Sequence, residues 1–400
     1  MTAANRSNKN NTNTSGNNTP LNSSAAQGSY THNGWPVSPF SQKTLAYLKY
    51  KGIPHQDQAP NFYQLMVRIP KKVGRAIMPT VVTPEGEWLQ DTADIIDQLE
   101  KRFPQHSIEP TTAKQQLVAR LLEMHADEWL VLSALHYRWT EPATRDFIVN
   151  AFGQYALPMM PGFIRRMAGN RIRKAMMSYL PRFGIVGKTE PGVRRYTQQL
   201  IARLEEHFQQ YKYFLGNRPC VGDFAFFGQL YAHLYRDPGS THLFDQTPNL
   251  VLWMQRLLNA DGSEATPADS VQYRFLPDDE IPATLLPIIE MLFAEHFPFC
   301  IDVVKRINEY VTQHPEATRV PRVVGDSHFT IGGITGERKQ LSFTQWKVQR
   351  CCDVYHSASD TEKAELGQWL ATVGGEALLS LNIEHPLKRQ NYREVLSNRP

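Results

Sequence analysis

The feature that most constrains the fold is a proline-containing turn that runs directly into a helical pattern, WPVSPFSQKTLAYLKYKG, from Trp35 to Gly52. Residues 38–41, Ser-Pro-Phe-Ser, have the spacing of a Cys-Pro-x-Cys redox motif with a hydroxyl in place of each thiol. Leucines at helical spacing and the glycine at position 52 predict a helix from near Ser41 to Gly52. The sequence therefore predicts two hydroxyl groups at a helix N-terminus, where neither can form a disulfide.

The segments that follow predict a small α/β unit. MPTVVTPEGEWLQ, residues 78–90, predicts a β-hairpin with its turn at residues 84–86. DTADIIDQLEKRF, residues 91–103, carries its apolar side chains on one helical face and is ended by Pro104. A strand, a helix, a second strand, a hairpin and a second helix within about eighty residues predict an α/β domain over residues 29–105.

The remaining chain divides into three parts. Residues 1–28 are rich in Asn, Ser and Thr with few large apolar side chains, and this composition predicts a disordered tail. An almost wholly helical pattern predicts an all-helical domain over residues 112–260. Residues 280–400 are helical in pattern at both ends, and their segment HFTIGGITGERKQLSF predicts a hairpin with a glycine turn.

Charge and composition exclude several function classes. The chain has 43 basic and 39 acidic residues, and its net charge of +4 is too small for a nucleic-acid footprint. No uninterrupted apolar run reaches the ~18 residues that a membrane helix needs. Its four cysteines have neither a disulfide framework nor metal-ligand spacing, as is typical of a reducing compartment. We expect a cytoplasmic protein with no nucleic-acid partner, no membrane span and no metal.

Three segments, in order, resemble the soluble glutathione transferases over residues 29–258. Residues 38–53 are similar to the family's first loop and helix, residues 78–100 to its proline-led hairpin and next helix, and residues 220–238 to a helical-domain segment. The resemblance implies a thioredoxin-like α/β N-terminal domain that binds glutathione, followed by the family's all-α C-terminal domain. Residues 280–400 would then be an additional, mostly helical C-terminal extension of unknown role.

Ser38 is the candidate catalytic residue, because the family's serine-type members have a serine at this position. A helix N-terminus presents unpaired N–H groups and a positive dipole end, which favour a bound thiolate. A hydroxyl can donate a hydrogen bond to that sulfur, whereas a cysteine would form a mixed disulfide with glutathione. The alternative is that Ser38 only caps the helix. Ser41, one turn further in, is expected to be the cap or a supporting group.

Four further residues are implied as the glutathione-binding set. Met78 and Pro79 resemble the family's residue-plus-cis-proline element, in which the backbone before the proline pairs with the cysteinyl peptide of glutathione. Asp91 and Thr92 stand where the family usually has Glu-Ser, and they would take the α-amino group and the γ-glutamyl carboxylate. The alternatives are an ordinary trans proline and a plain helix cap at Gln90 or Asp91.

The sequence departs from the family at Ile77, which stands where many relatives have a lysine that contacts the glycyl carboxylate. Lys71, Lys72 or Arg75 could replace that lysine, and the sequence does not choose among them.

Two functions from different classes follow. The first is a glutathione transferase that activates the thiolate of its co-substrate glutathione for attack on a small electrophilic molecule, and for it we expect a homodimer. The second is a non-catalytic glutathione-transferase-like structural or interaction protein, which the extension favours. A thiol oxidoreductase that uses Cys220 or the pair Cys351-Cys352 is the least favoured alternative.

Overall fold

The computed structural model describes residues 28–263, 274–390 and 393–397. The expected disordered tail, residues 1–28, lies outside the described residues except for Gly28. Three regions follow one another along the described chain, as the sequence predicts: an α/β unit, a helical bundle and a C-terminal extension.

The α/β unit is a four-stranded mixed sheet of order β2-β1-β3-β4 with three helices. β1 and β2 are parallel, and the other pairs are antiparallel. Val81 of β3 is opposite both His32 and Leu89 and is fully buried, so the sheet interior is centred on this strand. This is a thioredoxin-like fold. Its elements are β1 Tyr30–Asn33, α1 Pro39–Tyr50, β2 His55–Gln58, α2 Ile69–Val73, β3 Thr80–Val82, β4 Trp88–Gln90 and α3 Thr92–Arg102.

The helical bundle follows, with α4 running through a π-helical turn at Ala126–Leu130 into α5. α9 packs against both α1 and α4, so it joins the bundle to the α/β unit. An edge-to-face pair between Tyr47 and Phe224, with ring centroids 5.7 Å apart, lies in that interface. The helices are α4 Ala113–His125, α5 Val131–Thr140, α6 Thr144–Ala156, α7 Gly162–Met177, α8 Glu190–Gln210, α9 Val221–Gln229 and α10 Pro248–Leu258.

The extension is folded onto the bundle rather than tethered to it. α13 and α14 pack on α4, and the large apolar side chains Phe297, Phe299 and Trp346 are buried. The predicted hairpin at residues 328–343 is present as β5 and β6, and a second hairpin, β7 and β8, was not predicted. The elements are α11 Leu286–Met291, α12 Phe297–Gln313, β5 Val323–Ile331, β6 Ile334–Leu341, α13 Ser342–Ser357, α14 Asp360–Thr372, β7 Leu387–Gln390 and β8 Arg393–Leu396.

One helical stretch of the extension is long and apolar enough to cross a membrane by these two criteria alone. It runs over Ala283–Gln313, and its most apolar window has a mean hydropathy of 1.4. Half of that window is buried inside the protein. Core helices of water-soluble proteins pass the same criteria, so this stretch is weak evidence for a membrane span.

Candidate functional site

The N-terminus of α1 is capped by Ser38. The Ser38 Oγ accepts a hydrogen bond from the backbone N–H of Ser41 at 3.3 Å, and Pro39 occupies the first helical position, where its missing N–H costs nothing. Of the two expectations for Ser41, the cap or a supporting group, the structure contradicts the first. Ser41 supplies the capped N–H, and its own buried Oγ has no hydrogen-bond partner among the described residues.

Two arginines of the helical bundle hold the turn that precedes Ser38. Arg138 donates to the carbonyl of Val37, and Arg236 donates to the carbonyl of Pro36. Arg138 is buried and is bound by both carboxylate oxygens of Asp237, at 2.6 and 2.8 Å. A charge-assisted bidentate pair has a fixed geometry, so it fixes the direction in which Arg138 supports this turn.

Met78-Pro79 has a cis peptide bond, as expected, and it immediately precedes β3. Met78 is half-buried and Pro79 is buried. Of the three basic residues that could replace the family's lysine near this element, Arg75 lines the adjacent cavity, whereas Lys71 and Lys72 do not.

Asp91 and Thr92 lie at the N-terminus of α3. The Asp91 Oδ1 accepts the N–H of Ala93 at 3.1 Å, so Asp91 caps the helix, and its φ of 75° is unusual for a residue with a side chain. The Asp91 Oδ2 lies 3.5 Å from Nη1 of Arg389, which belongs to β7 of the extension. Burial and the nearby Asp91 carboxylate raise the pKa of Asp94, in the first turn of α3, to about 6.

A cavity of about 1250 Å³ brings these segments together. Met78, Pro79, Asp91 and Thr92 all line it, and so does Phe40 in the first turn of α1. Ser38 does not line it, although it lies two residues before Phe40. The walls come from all three regions of the chain, and the extension contributes residues 316–322 and residues around Phe343 and Arg389.

A buried ionic network underlies the cavity and joins the three regions. Lys43 of α1 and Lys347 of α13 both contact the carboxylates of Glu123 and Asp127, at 2.7 to 3.4 Å. All four side chains are at most 3% exposed. Burial lowers the pKa of Lys347, but Asp127 and Glu123 outweigh it, so that this pKa is raised. The sequence gives no sign of this network, since no local pattern distinguishes these lysines from solvent-exposed ones.

None of the four cysteines lines the cavity, and all four are buried. Burial, with a smaller contribution from Asp353, raises the pKa of Cys352 to about 12, and burial also raises the pKa of Cys220 and Cys351. Buried thiols of raised pKa are poor nucleophiles, so the structure does not favour a thiol oxidoreductase. No group of three or more potential metal ligands is present among the described residues.

Residues 37–102 match the glutathione S-transferase N-terminal domain, and residues 168–261 match the glutathione S-transferase C-terminal domain. The two matches support a glutathione S-transferase family. The extension lies beyond both matched segments. No curated protein matches the chain.

Solved structures similar to this chain include several glutathione transferases. The β-etherase LigF from Sphingobium sp. strain SYK-6 is 18% identical over 59% of this chain and 98% of its own, with a TM-score of 0.41. The transferase GSTFuA3 from Phanerochaete chrysosporium is 13% identical over 63% and 99%, with a TM-score of 0.42. A Methylobacterium radiotolerans glutathione S-transferase, in complex with glutathione sulfonate, is 16% identical over 62% and 100%, with a TM-score of 0.38. These similarities are too low to assign an activity.

Proposed function

We propose that this protein is a serine-type glutathione transferase that activates the glutathione thiolate for attack on a small electrophilic molecule. The observation that carries the proposal is the single cavity lined by Phe40, the cis Met78-Pro79 element and the α3 N-terminus at Asp91 and Thr92. These are the segments that the family resemblance implies for glutathione binding.

Glutathione would bind with its peptide along β3 and its γ-glutamyl end at α3. The backbone of Met78, at the cavity wall, would pair with the cysteinyl peptide. The Thr92 hydroxyl and the first N–H groups of α3 would take the γ-glutamyl carboxylate, since a helix N-terminus favours an anion. The Asp91 carboxylate would take the α-amino group, and Arg75 would take the glycyl carboxylate.

Ser38 can cap α1 and act on the thiol at the same time. Its oxygen accepts the Ser41 N–H, while its own hydroxyl proton has no acceptor among the described residues. That proton can be donated to a thiolate, and the N–H donation to Oγ polarises the hydroxyl further. The thiol proton leaves to solvent, and the thiolate sulfur then forms a bond to the electrophilic carbon as the bond from that carbon to its leaving group breaks and the leaving group takes the electron pair. The pKa of the glutathione thiol, about 8.5 for a free thiol, would thereby fall by about one to two.

Kinetics of Ser38 variants test this role. We expect Ser38→Ala to lower the conjugation rate by roughly tenfold to several hundredfold with a modest change in glutathione binding, the range for one lost charge-stabilising donor. Ser38→Gly is the matched variant, because glycine at an N-cap costs only a few tenths of a kcal/mol and so separates catalysis from capping. Ser38→Cys should accumulate a glutathione mixed disulfide that is visible by intact mass. Unchanged rates in Ser38→Gly with a large loss in Ser41→Ala would move the role to Ser41.

The second candidate is a glutathione-transferase-like protein without catalysis, and one contact favours it. Arg389 of the extension lies beside the Asp91 carboxylate that glutathione's amino group would need. Retention on immobilised glutathione separates the two candidates: retention of the wild type supports the enzyme. Retention only after Arg389→Met supports a site that the extension closes. A cytoplasmic location and a homodimer remain part of the first proposal.

A further inference from the structure

Only some of the charged side chains that line the cavity have a partner of opposite charge. Its basic side chains are Arg75, Arg319, Arg322, Lys347, Arg389 and Arg393, and its acidic ones are Asp91, Asp127, Glu128, Glu316 and Glu394. Lys347 is bound to Asp127, and Arg389 to Asp91 and Glu394. The buried carboxylate of Glu128 accepts the Thr344 hydroxyl at 2.8 Å.

Four arginines remain without a carboxylate. Arg75, Arg319, Arg322 and Arg393 form no ion pair and no side-chain hydrogen bond with any part of the chain that the structure describes. Arg75 is half-buried and the other three are exposed at the cavity wall. Two acidic residues of the lining likewise have no lysine or arginine partner in the lining, the buried Glu128 and the exposed Glu316. The cavity therefore has a local excess of positive charge on the side formed by α2 and the extension.

The backbone fixes two of these arginines side by side. The N–H of Leu396 donates to the carbonyl of Thr318 at 3.0 Å, and Arg319 lies opposite Val395 in an isolated antiparallel bridge. Arg393, two residues before Val395, is therefore on the same face as Arg319 and diagonal to it. A smaller cavity of about 340 Å³ is lined by both arginines and by Gly74, and so continues the large cavity.

Like charges on one face destabilise the fold unless something compensates them. Burial lowers the pKa of Arg75, and the neighbouring Arg322, Arg389 and Arg393 lower it further, while Glu394 opposes them. The crowding of positive charges therefore extends from the α/β unit to the extension. A bound anion would offset it, because guanidinium groups bind carboxylates and other oxyanions bidentately.

We propose that Arg75, Arg319, Arg322 and Arg393 form an anion subsite, and that the electrophile conjugated in this cavity carries a carboxylate or another oxyanionic group. The inference rests on the proposed transferase function, whose substrate class it names. The glycyl carboxylate of glutathione needs one arginine, and Arg75 lies nearest the cis Met78-Pro79 element in sequence. The three arginines of the extension are then left for the second substrate, which gives the extension a function in selecting it.

A matched pair of electrophiles tests the subsite. 4-(Chloromethyl)benzoate and its methyl ester react in the same way: glutathione's sulfur bonds to the benzylic carbon, chloride leaves and the thiol proton goes to buffer. We expect kcat/KM for the acid to exceed that for the ester by at least about tenfold, as one charge-assisted hydrogen bond would give. Added salt should reduce this ratio, because the arginines are exposed.

Arg322→Gln with Arg393→Gln should bring the ratio close to one. The control is Arg171→Gln with Lys174→Gln, which removes the same charge from exposed positions of α7 outside the cavity lining and should keep the ratio. Turnover of both electrophiles at equal kcat/KM in the wild type would overturn the subsite and leave the transferase function standing.

Binding measured without glutathione distinguishes a failure of the anion subsite from a failure of the proposed transferase function. Calorimetric titration with 4-methylbenzoate, and with 4-methylbenzamide as the neutral comparison, needs no turnover. Binding of the carboxylate alone, lost in the Arg322→Gln/Arg393→Gln variant, supports the subsite even if the protein fails to bind glutathione and the proposed function falls. Equal binding of both compounds, or carboxylate binding that survives in the variant, would overturn it.

Discussion

Replacing Lys347 with Met should destabilise the protein far more than the same change at Lys339. Each ammonium lies 2.7 Å from an aspartate oxygen, Lys347 from Asp127 and Lys339 from Asp326. The first pair is 2% and 3% exposed, and the second is 42% and 59% exposed. The two substitutions thus differ in burial and not in bond length, and methionine keeps most of the side-chain volume.

The expected loss in free energy of unfolding depends on which cation partners the buried carboxylates keep after the substitution. Removal of one partner from a buried ion pair costs about 3–5 kcal/mol, whereas an exposed pair contributes about 0–1 kcal/mol. Lys43 stays 2.8 Å from both Glu123 and Asp127, so we expect the lower end, about 3 kcal/mol, for Lys347→Met. For Lys339→Met we expect less than about 1 kcal/mol.

The pH dependence of that loss is fixed by two pKa shifts. Burial opposes ionisation of Glu123, but Lys347 and Lys43 outweigh it and hold its pKa well below the ordinary value of 4.5. Its contribution is therefore complete above about pH 4.5 and is lost as the pH falls through the folded-state pKa. The raised pKa of Lys347 gives a contribution that is complete below 10.5 and is lost at higher pH. The deficit of Lys347→Met should hence be constant from pH 6 to pH 9.

Urea denaturation followed by tryptophan fluorescence, at several pH values, measures both variants against the wild type. If the two variants lose free energy of unfolding to within about 1 kcal/mol of each other, the remaining cations Lys43, Arg120 and Arg350 already compensate the buried carboxylates. That result would refute the inference that Lys347 anchors the extension to the bundle.

Three further outcomes can be measured. Burial raises the pKa of Glu295 to about 7 despite a hydrogen bond from the Gly332 N–H, so the stability of the wild type should fall as the pH rises from 5 to 7. In thermal melts Glu295→Gln should remove this pH dependence, and a variant with the same pH dependence as the wild type would contradict the prediction. A Cβ at Gly228 would clash with the Pro39 carbonyl oxygen, so Gly228→Ala should displace the start of α1, cost about 1–3 kcal/mol and slow conjugation. Gly367→Ala is the control and should have none of these effects, because the nearest neighbour of its Cβ is the Leu379 Cδ1 at 3.7 Å. A chain ending at residue 263 exposes the α4 surface that α13 and α14 cover, so it should aggregate in light scattering; a soluble truncated protein with wild-type activity would show that the extension is dispensable.

Much of the site was predictable because it is built from local signals. A proline-containing turn before a helix, a proline before a β-branched strand and an Asp-Thr pair before an apolar helical face are read from a few consecutive residues. The structure places α1, the β3–β4 hairpin and α3 where these patterns predict them, with the cis bond at Met78-Pro79. The sequence left the cap open between Ser38 and Ser41, because both satisfy the same residue preference and only the backbone geometry separates them.

The ion pairs that join the extension to the rest of the chain depended on tertiary structure alone. Lys347 and Asp127 are 220 residues apart, and Arg350 and Asp97 are 253 apart, yet each pair is in contact. An ion pair imposes no periodicity on either segment, so a buried lysine and a solvent-exposed one look alike in sequence. Burial is decided by which helices pack together: α13 lies on α4, and this packing carries Lys347 to Asp127, while the extension's β7 hairpin carries Arg389 to Asp91. The sequence thus determined the local elements that line the cavity, and long-range packing decided which charges surround them.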